Sequence, residues 1–295
     1  MPNPRLCLLS VHAHPDDEAS KGAGTVARYH DEGVRTVLVT CTGGEAGDIL
    51  NPAMDRQDVR DNLPEIRLRE LDRAAKIIGY DEVVLLGYRD SGMPDTPENG
   101  DPGAFANADL DEAVRRLVEV IRRERPQVIL TYGDDQERYY PHPDHLRVHD
   151  ISLPAFERAG DPEAYPEAGE PWQPLKLYYS VWSRRRMEAM HRRFQELGLE
   201  SPFQDDWFDR PWGDERVTTG IDVSGYGDVR GEALLAHETQ IDPNSPFWFG
   251  LPSEEMARLN SQEDYILAVS RVDVPTPEDD LFAGLRPADG SGGAA

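Results

Sequence analysis

The sequence is poor in the features that would tie it to a membrane, a disulfide framework or nucleic acid. It has only two cysteines, Cys7 and Cys41, both inside apolar strand-like runs. They read as reduced core residues of a cytoplasmic protein and not as a cross-linked secreted scaffold. No apolar run approaches the ~20 residues that cross a bilayer. The first residues, Met1-Pro2-Asn3-Pro4-Arg5, lead straight into a strand-like segment, without the basic and apolar regions of a secretory leader. Neither a leader nor a membrane partner is expected. Basic residues are scarce too: 31 Lys and Arg stand against 56 Asp and Glu, for a formal net charge of −25. Such a surface repels a phosphate backbone, so nucleic acid is not an expected partner. No G-x-G-x-x-G follows the first strand, which argues against a dinucleotide site.

What the chain does have is length and alternation. At 295 residues it can bury roughly 75% of its unfolded surface, enough for a large core without staples. Apolar runs at Arg5 to His12, Arg35 to Cys41, Glu82 to Gly87 and Gln127 to Tyr132 read as strands. Ala19 to Glu32, Ile66 to Ile78 and Leu110 to Arg123 read as the helices between them, stopped at Gly33 and Gly79 in the first two cases. This predicts an α/β fold: a Rossmann-like, mainly parallel sheet with helices on both faces, over residues 1–160. Residues 161–272, with strands at Leu175 to Trp182 and Val217 to Val223 and helices at Arg184 to Leu197 and Gly231 to Thr239, are expected as an α+β lobe that completes the pocket. Residues 273–295 are expected as an extended, partly disordered tail.

Each of the first four strands runs into a polar cluster at its C-terminal end: His12 to Asp17, Thr42 to Asp48, Arg89 to Ser91, and Gly133 to His145. Open α/β sheets bind ligands beyond those ends, so the clusters point to one site. The segment His12-Ala13-His14-Pro15-Asp16-Asp17-Glu18 is matched by Tyr140-Pro141-His142-Pro143-Asp144-His145. Two histidines and a carboxylate make a three-ligand catalytic zinc set with a position left for water, and His14, Asp17 and His145 are the expected ligands. The same donors suit Fe(II), since ligand type alone does not fix the metal.

The H-P-D-D-E and H-P-D-H pair resembles the zinc-dependent N-acetylglucosaminyl-phosphatidylinositol deacetylase family. Members of that family have a Rossmann-like core and remove acyl groups from amino-sugars. The stretch Ile49-Leu50-Asn51-Pro52-Ala53-Met54-Asp55 is similar to the branch that acts as amidases on conjugates of the thiol-sugar mycothiol. Further likeness lies in Thr42 to Glu45, Tyr88 to Gly92, Gly169 to Trp172, Lys176 to Tyr179 and Ala236 to Asn244, and runs from about Arg5 to Pro287. The resemblance implies Zn²⁺, or Fe²⁺ in vivo, as cofactor and a small thiol-sugar conjugate as substrate. Oligomeric state stays open, as do a deacetylase of N-acetylglucosaminyl-inositol and a paralogue dedicated to secondary metabolism.

The resemblance also implies roles. Asp16 is the general base, His142 and Tyr140 stabilise the oxyanion, and Asp16 or His142 protonates the leaving amine. Asp144 positions a histidine. Lys21, Ser20, Arg67, Asp90 and Glu45 are expected substrate contacts. Arg67 otherwise pairs with Glu70 or Asp72 on an exposed helix, Asp90 serves a turn, Lys21 is a solvated helical residue, and Glu45, like Asp48, satisfies backbone donors in its Gly-rich loop. His237, read inside a helix, either reaches the pocket or caps the core. Ala19 and Ala46 stand where the resemblance leads one to expect Ser and Arg, and Gly133 to Tyr139 departs as well, which bears on the substrate and not on the metal set.

Overall fold

The computed structural model describes residues 5–134, 140–209 and 212–286. One seven-stranded sheet runs through the chain, built from β1 (Cys7–His12), β2 (Arg35–Thr42), β3 (Glu82–Tyr88), β4 (Val128–Thr131), β5 (Lys176–Val181), β6 (Thr219–Asp222) and β7 (Gln262–Ser270). Its order is β3-β2-β1-β4-β5-β7-β6. The first five strands in that order pair in parallel, and β7 and β6 add an antiparallel edge. Residues 161–272 thus extend the sheet that the first half begins.

The helices are α1 (Asp17–Ser20), α2 (Ala23–Asp31), α3 (Gln57–Arg60), α4 (Leu63–Ile78), α5 (Leu110–Glu124) and α6 (Pro143–Arg158), then α7 (Arg184–Glu196), α8 (Gly227–Ala236), α9 (Pro246–Phe249) and α10 (Ser253–Leu259). β1 is buried along its whole length. Its Cys7, Leu9 and Val11 face the apolar stripe of α5 and the inner side of α6. Leu8 faces α2, α4 and α8 on the other side. A strand covered on both faces has to be apolar throughout, which is why the run reads without alternation. A third, smaller core lies outside the sheet, where Met187, Met190 and Phe194 of α7 meet Phe203 and Leu251.

Several elements differ from the pattern. The helix expected over Ala19 to Glu32 is two, because Gly22 sits at φ +93° and breaks it. The helix expected from Gly231 begins at Gly227 and ends at Ala236, leaving His237 at its C-cap and not inside it. α6 starts at the H-P-D-H segment itself, with Pro143 at its first turn, where a missing N–H costs nothing. β7 was not legible. Within the segment from Asp273, Leu281 and Phe282 are fully buried and Glu278 pairs with Lys176 in the interior. Residues 287–295 and 135–139, the latter inside the divergent Gly133 to Tyr139 stretch, lie outside the described residues. No helix among the described residues is long and apolar enough to cross a membrane.

The order of the strands places the site. From β1 the chain steps outward to β2 and β3, then returns past β1 to β4 and β5. The crevice of such a sheet opens between β1 and β4, at their carboxyl ends. His14 follows β1 and His145 opens the helix after β4.

Candidate metal centre and substrate pocket

The loop after β1 is held in a costly shape. Asp16 adopts φ +108°, outside the region open to most residues. Such a conformation costs about 1–3 kcal/mol and persists only where the surroundings enforce it. Here the enforcing group is Arg67 of α4, which is buried. Its guanidinium donates to the carbonyl of Pro15 at 2.6 Å, to Asp16 Oδ2 at 3.2 Å and to the carbonyl of Gly44. Gly44 sits at φ +68°, and a Cβ there would overlap the guanidinium, so the Gly43-Gly44 turn is what lets the arginine through. Arg67 is therefore not an exposed partner of Glu70 or Asp72; Glu70 instead accepts from the backbone N–H and hydroxyl of Thr239.

With the loop so fixed, three donor atoms converge. His14 Nδ1 lies 3.5 Å and His145 Nε2 3.4 Å from the same oxygen, Asp17 Oδ2. Ligands at 2.0–2.1 Å around a tetrahedral zinc stand about 3.3 Å apart, so the spacing fits such an ion. His145 Nδ1 is buried without a partner among the described residues, and its ring stacks on Tyr132 at 4.6 Å. The opposite nitrogen of His14, Nε2, faces Asp144 Oδ2 at 3.1 Å. Asp144 is fully buried and is clamped by the backbone N–H of Ser91 at 3.0 Å and by the Ser91 hydroxyl. A carboxylate behind a ligating histidine fixes its tautomer and raises its basicity.

A second group of donors, His14, Asp90, His142 and Asp144, also lies close together. Its members already have partners: Asp144 is held by Ser91, His142 Nδ1 accepts from the Asp144 N–H at 3.2 Å, and Asp90 accepts from Gly92 and Ala46. The first group gathers two imidazole nitrogens around one oxygen, Asp17 Oδ2, which also accepts the His14 N–H at 3.0 Å, and is the candidate ligand set.

Charge in the site is arranged for a cation. Burial works against ionisation of Asp17, but Lys21 and His145 override it and hold the carboxyl well below its usual range. Burial likewise opposes charge on His14, and the carboxylates of Asp144, Asp17 and Asp90 pull it the other way, well above the usual histidine value. Asp16 differs: burial raises it to about 6 against the pull of Arg67, with the Asp17 charge adding to the rise. Burial and the neighbouring His14 push His142 down to about 4.

The other expected residues gather at the same place. His14, Asp16, Asp17, Ser20, Lys21, Arg67, Asp90, Tyr140, His142 and His145 all line one cavity of about 800 Å³. Lys21 is not a solvated helical residue: it sits at the break between α1 and α2, with Nζ 2.6 Å from Asp17 Oδ1. Glu45 is not on the cavity wall; its Oε1 accepts the N–H of Asp90 at 3.2 Å. His237 does not reach the cavity either. Its Nε2 meets Glu18 Oε1 at 2.5 Å, both groups fully buried, and Glu18 in turn accepts the N–H of Asp16 at 2.9 Å.

Sequence reasoning passed over Ser91 as the brace of Asp144, Tyr132 beneath His145, and the far wall of the cavity. That wall is Trp182, Trp207, Trp212, Phe247 and Trp248. Its signal was present, since four of the five tryptophans fall in it, but tryptophan in a half-patterned lobe reads equally as core.

The family model described as GlcNAc-PI de-N-acetylase matches residues 9–156. A Streptomyces coelicolor protein named mycothiol S-conjugate amidase is 46% identical, covering 96% of this chain and 98% of its own. A Geodermatophilus obscurus protein named 1D-myo-inositol 2-acetamido-2-deoxy-alpha-D-glucopyranoside deacetylase is 40% identical, covering 96% and 99%. Among solved structures, the N,N'-diacetylchitobiose deacetylase of Pyrococcus horikoshii shares the fold at a TM-score of 0.61 and 16% identity, over 90% of this chain and 84% of that one.

Proposed function

The chain belongs to the GlcNAc-PI de-N-acetylase family of hydrolases, and we propose that it is a zinc-dependent amidase of mycothiol S-conjugates. It cleaves the cysteinyl–glucosamine amide, releasing an N-acetylcysteine S-conjugate and glucosaminyl-inositol. The observation that carries the metal chemistry is the convergence of His14 Nδ1 and His145 Nε2 on Asp17 Oδ2. The choice of substrate is supported by the higher identity to the relative named as the amidase, 46% against 40%.

His14, Asp17 and His145 would hold the zinc ion, which would supply the positive charge needed to acidify a water and polarise a carbonyl. Asp16 stands next to this set, and Arg67 holds its carboxylate off the neighbouring Asp17. It takes the proton of the attacking water. His142 Nδ1 accepts from the Asp144 N–H, so the neutral ring carries its proton on Nε2 and acts as a hydrogen-bond donor. That donor and the Tyr140 hydroxyl stabilise the developing oxyanion, a role whose loss typically lowers kcat by ~10²–10³. Since His142 is spoken for as a donor, Asp16 returns the proton it took to the leaving amine. Ser20, Lys21, Arg67 and Asp90 contact the sugar half, and Glu45 sets the turn that presents Asp90.

Purified protein offered a mycothiol S-conjugate and N-acetylglucosaminyl-inositol tests this. The conjugate is cleaved faster; faster release of acetate would assign the chain to the deacetylases instead.

A further inference from the structure

The cavity's carboxylates and its aromatic rings fall on opposite flanks, although Leu50, Met93 and Pro97 share the carboxylate flank, and the sheet order shows which flank is which. Asp48 follows β2, and Asp90 and Glu98 follow β3, all on one flank of the β1–β4 crevice. Gln240 joins them, its side-chain amide donating to the Asp48 carbonyl at 3.1 Å. On the other flank Trp182 directly follows β5. Phe247 stacks on it at 5.8 Å between centroids, Trp248 meets it edge-on at 5.9 Å, and Trp207 lies 6.4 Å from Phe247. His14, Asp17 and His145 lie between the two flanks. An amide centred on them has its hydroxyl-rich amine half toward the carboxylates and its acyl half toward the rings.

We propose that Trp182, Trp207, Trp212, Phe247 and Trp248 form a subsite for a planar aromatic group carried on the sulfur of the acyl half. The inference rests on the amidase reading above and narrows its substrate class. An acetyl group, with a single methyl beyond its carbonyl, is too short to cover a wall of five rings. A thiol alkylated by an aromatic electrophile brings a flat apolar surface of the right kind, which aromatic side chains receive by offset or edge-to-face contact. The wall is also set in advance. Behind it the buried Arg230 guanidinium lies 5.8 Å from the Trp182 ring and 5.3 Å from the Trp248 ring, and its Nε has no hydrogen-bond partner among the described residues. A cation stacked on two indoles fixes their planes, and rings fixed before binding lose little freedom when the ligand arrives.

The test compares kcat/KM for S-benzyl and S-methyl conjugates of mycothiol. An apolar pocket typically discriminates by ~10–200-fold, and the wild type is expected to favour the benzyl conjugate within that range. Trp182→Ala and, separately, Phe247→Leu each collapse the ratio toward one, mainly through KM of the benzyl conjugate. N-acetyl-S-benzylcysteine alone quenches tryptophan fluorescence saturably, and N-acetyl-S-methylcysteine does not, a readout that needs no turnover. A wild-type ratio near one, a ratio that neither substitution moves, or no benzyl-specific quenching overturns the subsite and leaves the amidase standing. Cleavage of neither conjugate, with acetate released from the acetylated sugar, removes the amidase itself.

Discussion

Asp144 Oδ2 lies 3.1 Å from His14 Nε2, on the far side of the imidazole from the atom that faces Asp17. The two residues, one in the loop after β1 and the other in the first turn of α6, are more than a hundred positions apart and are joined where β1 and β4 run side by side. The contact fixes which His14 nitrogen is free for a metal.

Asp144→Asn therefore weakens the centre without touching a ligand. Loss of such a carboxylate typically costs 10–100-fold in metal affinity or activity. Chelator competition on the purified variant should show that loss, with activity restored at high free zinc. Unaltered zinc affinity would mean that the His14–Asp144 contact does not tune the ligand.

Asp16 combines the proposed role of base with a strained backbone, and the two separate by substitution. Asp16→Asn removes the base and should lower kcat by ~10²–10⁴ while zinc content stays at wild-type level. Asp16→Gly should lose as much turnover yet be about 1 kcal/mol more stable than the asparagine variant, because both lose the Arg67 ion pair and only glycine accepts φ +108° freely. Denaturant unfolding of the two variants checks this; a glycine variant less stable than the asparagine one contradicts the strain.

The buried Glu18–His237 pair sits behind the metal loop and should hold it up. Removing one partner, as in His237→Ala, leaves a buried charge alone and costs about 3–5 kcal/mol. The pH dependence has two limbs. Burial opposes ionisation of Glu18, but His237 overcomes it and lowers the carboxyl from 4.5, so this contribution is present above about pH 4.5 and is lost as pH falls through the lowered value. His237 is raised from 6.5 by Glu18, again against burial, so its contribution is complete below about pH 6.5 and is lost as pH rises through the raised value. The stability gap between wild type and a Glu18→Gln, His237→Gln double variant should be widest between those two pH values. A gap flat from pH 3 to 9 would show that the pair is not ionised.

How much of this was legible follows from what each element depends on. β1 and β2 are buried on both faces, so composition alone betrays them, and the clusters at their ends mark the active edge. The pairing of H-P-D-D-E with H-P-D-H was visible because both motifs sit at strand ends. Arg67, expected as a substrate contact with a surface ion pair as the alternative, lines the cavity, but its grip on the metal-site loop was hidden because two of its partners are the backbone carbonyls of Pro15 and Gly44, which no side-chain pattern encodes. Glu45 stood open between a sugar contact and a backbone acceptor because a carboxylate in a glycine turn has the same signature in both cases; the structure gives it the N–H of Asp90. β7 and the aromatic wall were hidden for a related reason: an antiparallel edge strand and an exposed-then-covered indole take their meaning from the chain segments that pack on them.

Zinc titration into metal-free protein, read as hydrolysis of a mycothiol S-conjugate, tests the central claim most directly. Expected are no turnover without metal, a linear rise to a plateau at one equivalent, and loss of that plateau in His145→Ala and Asp17→Asn. Full turnover in metal-free protein, or an unchanged titration in both variants, would contradict it.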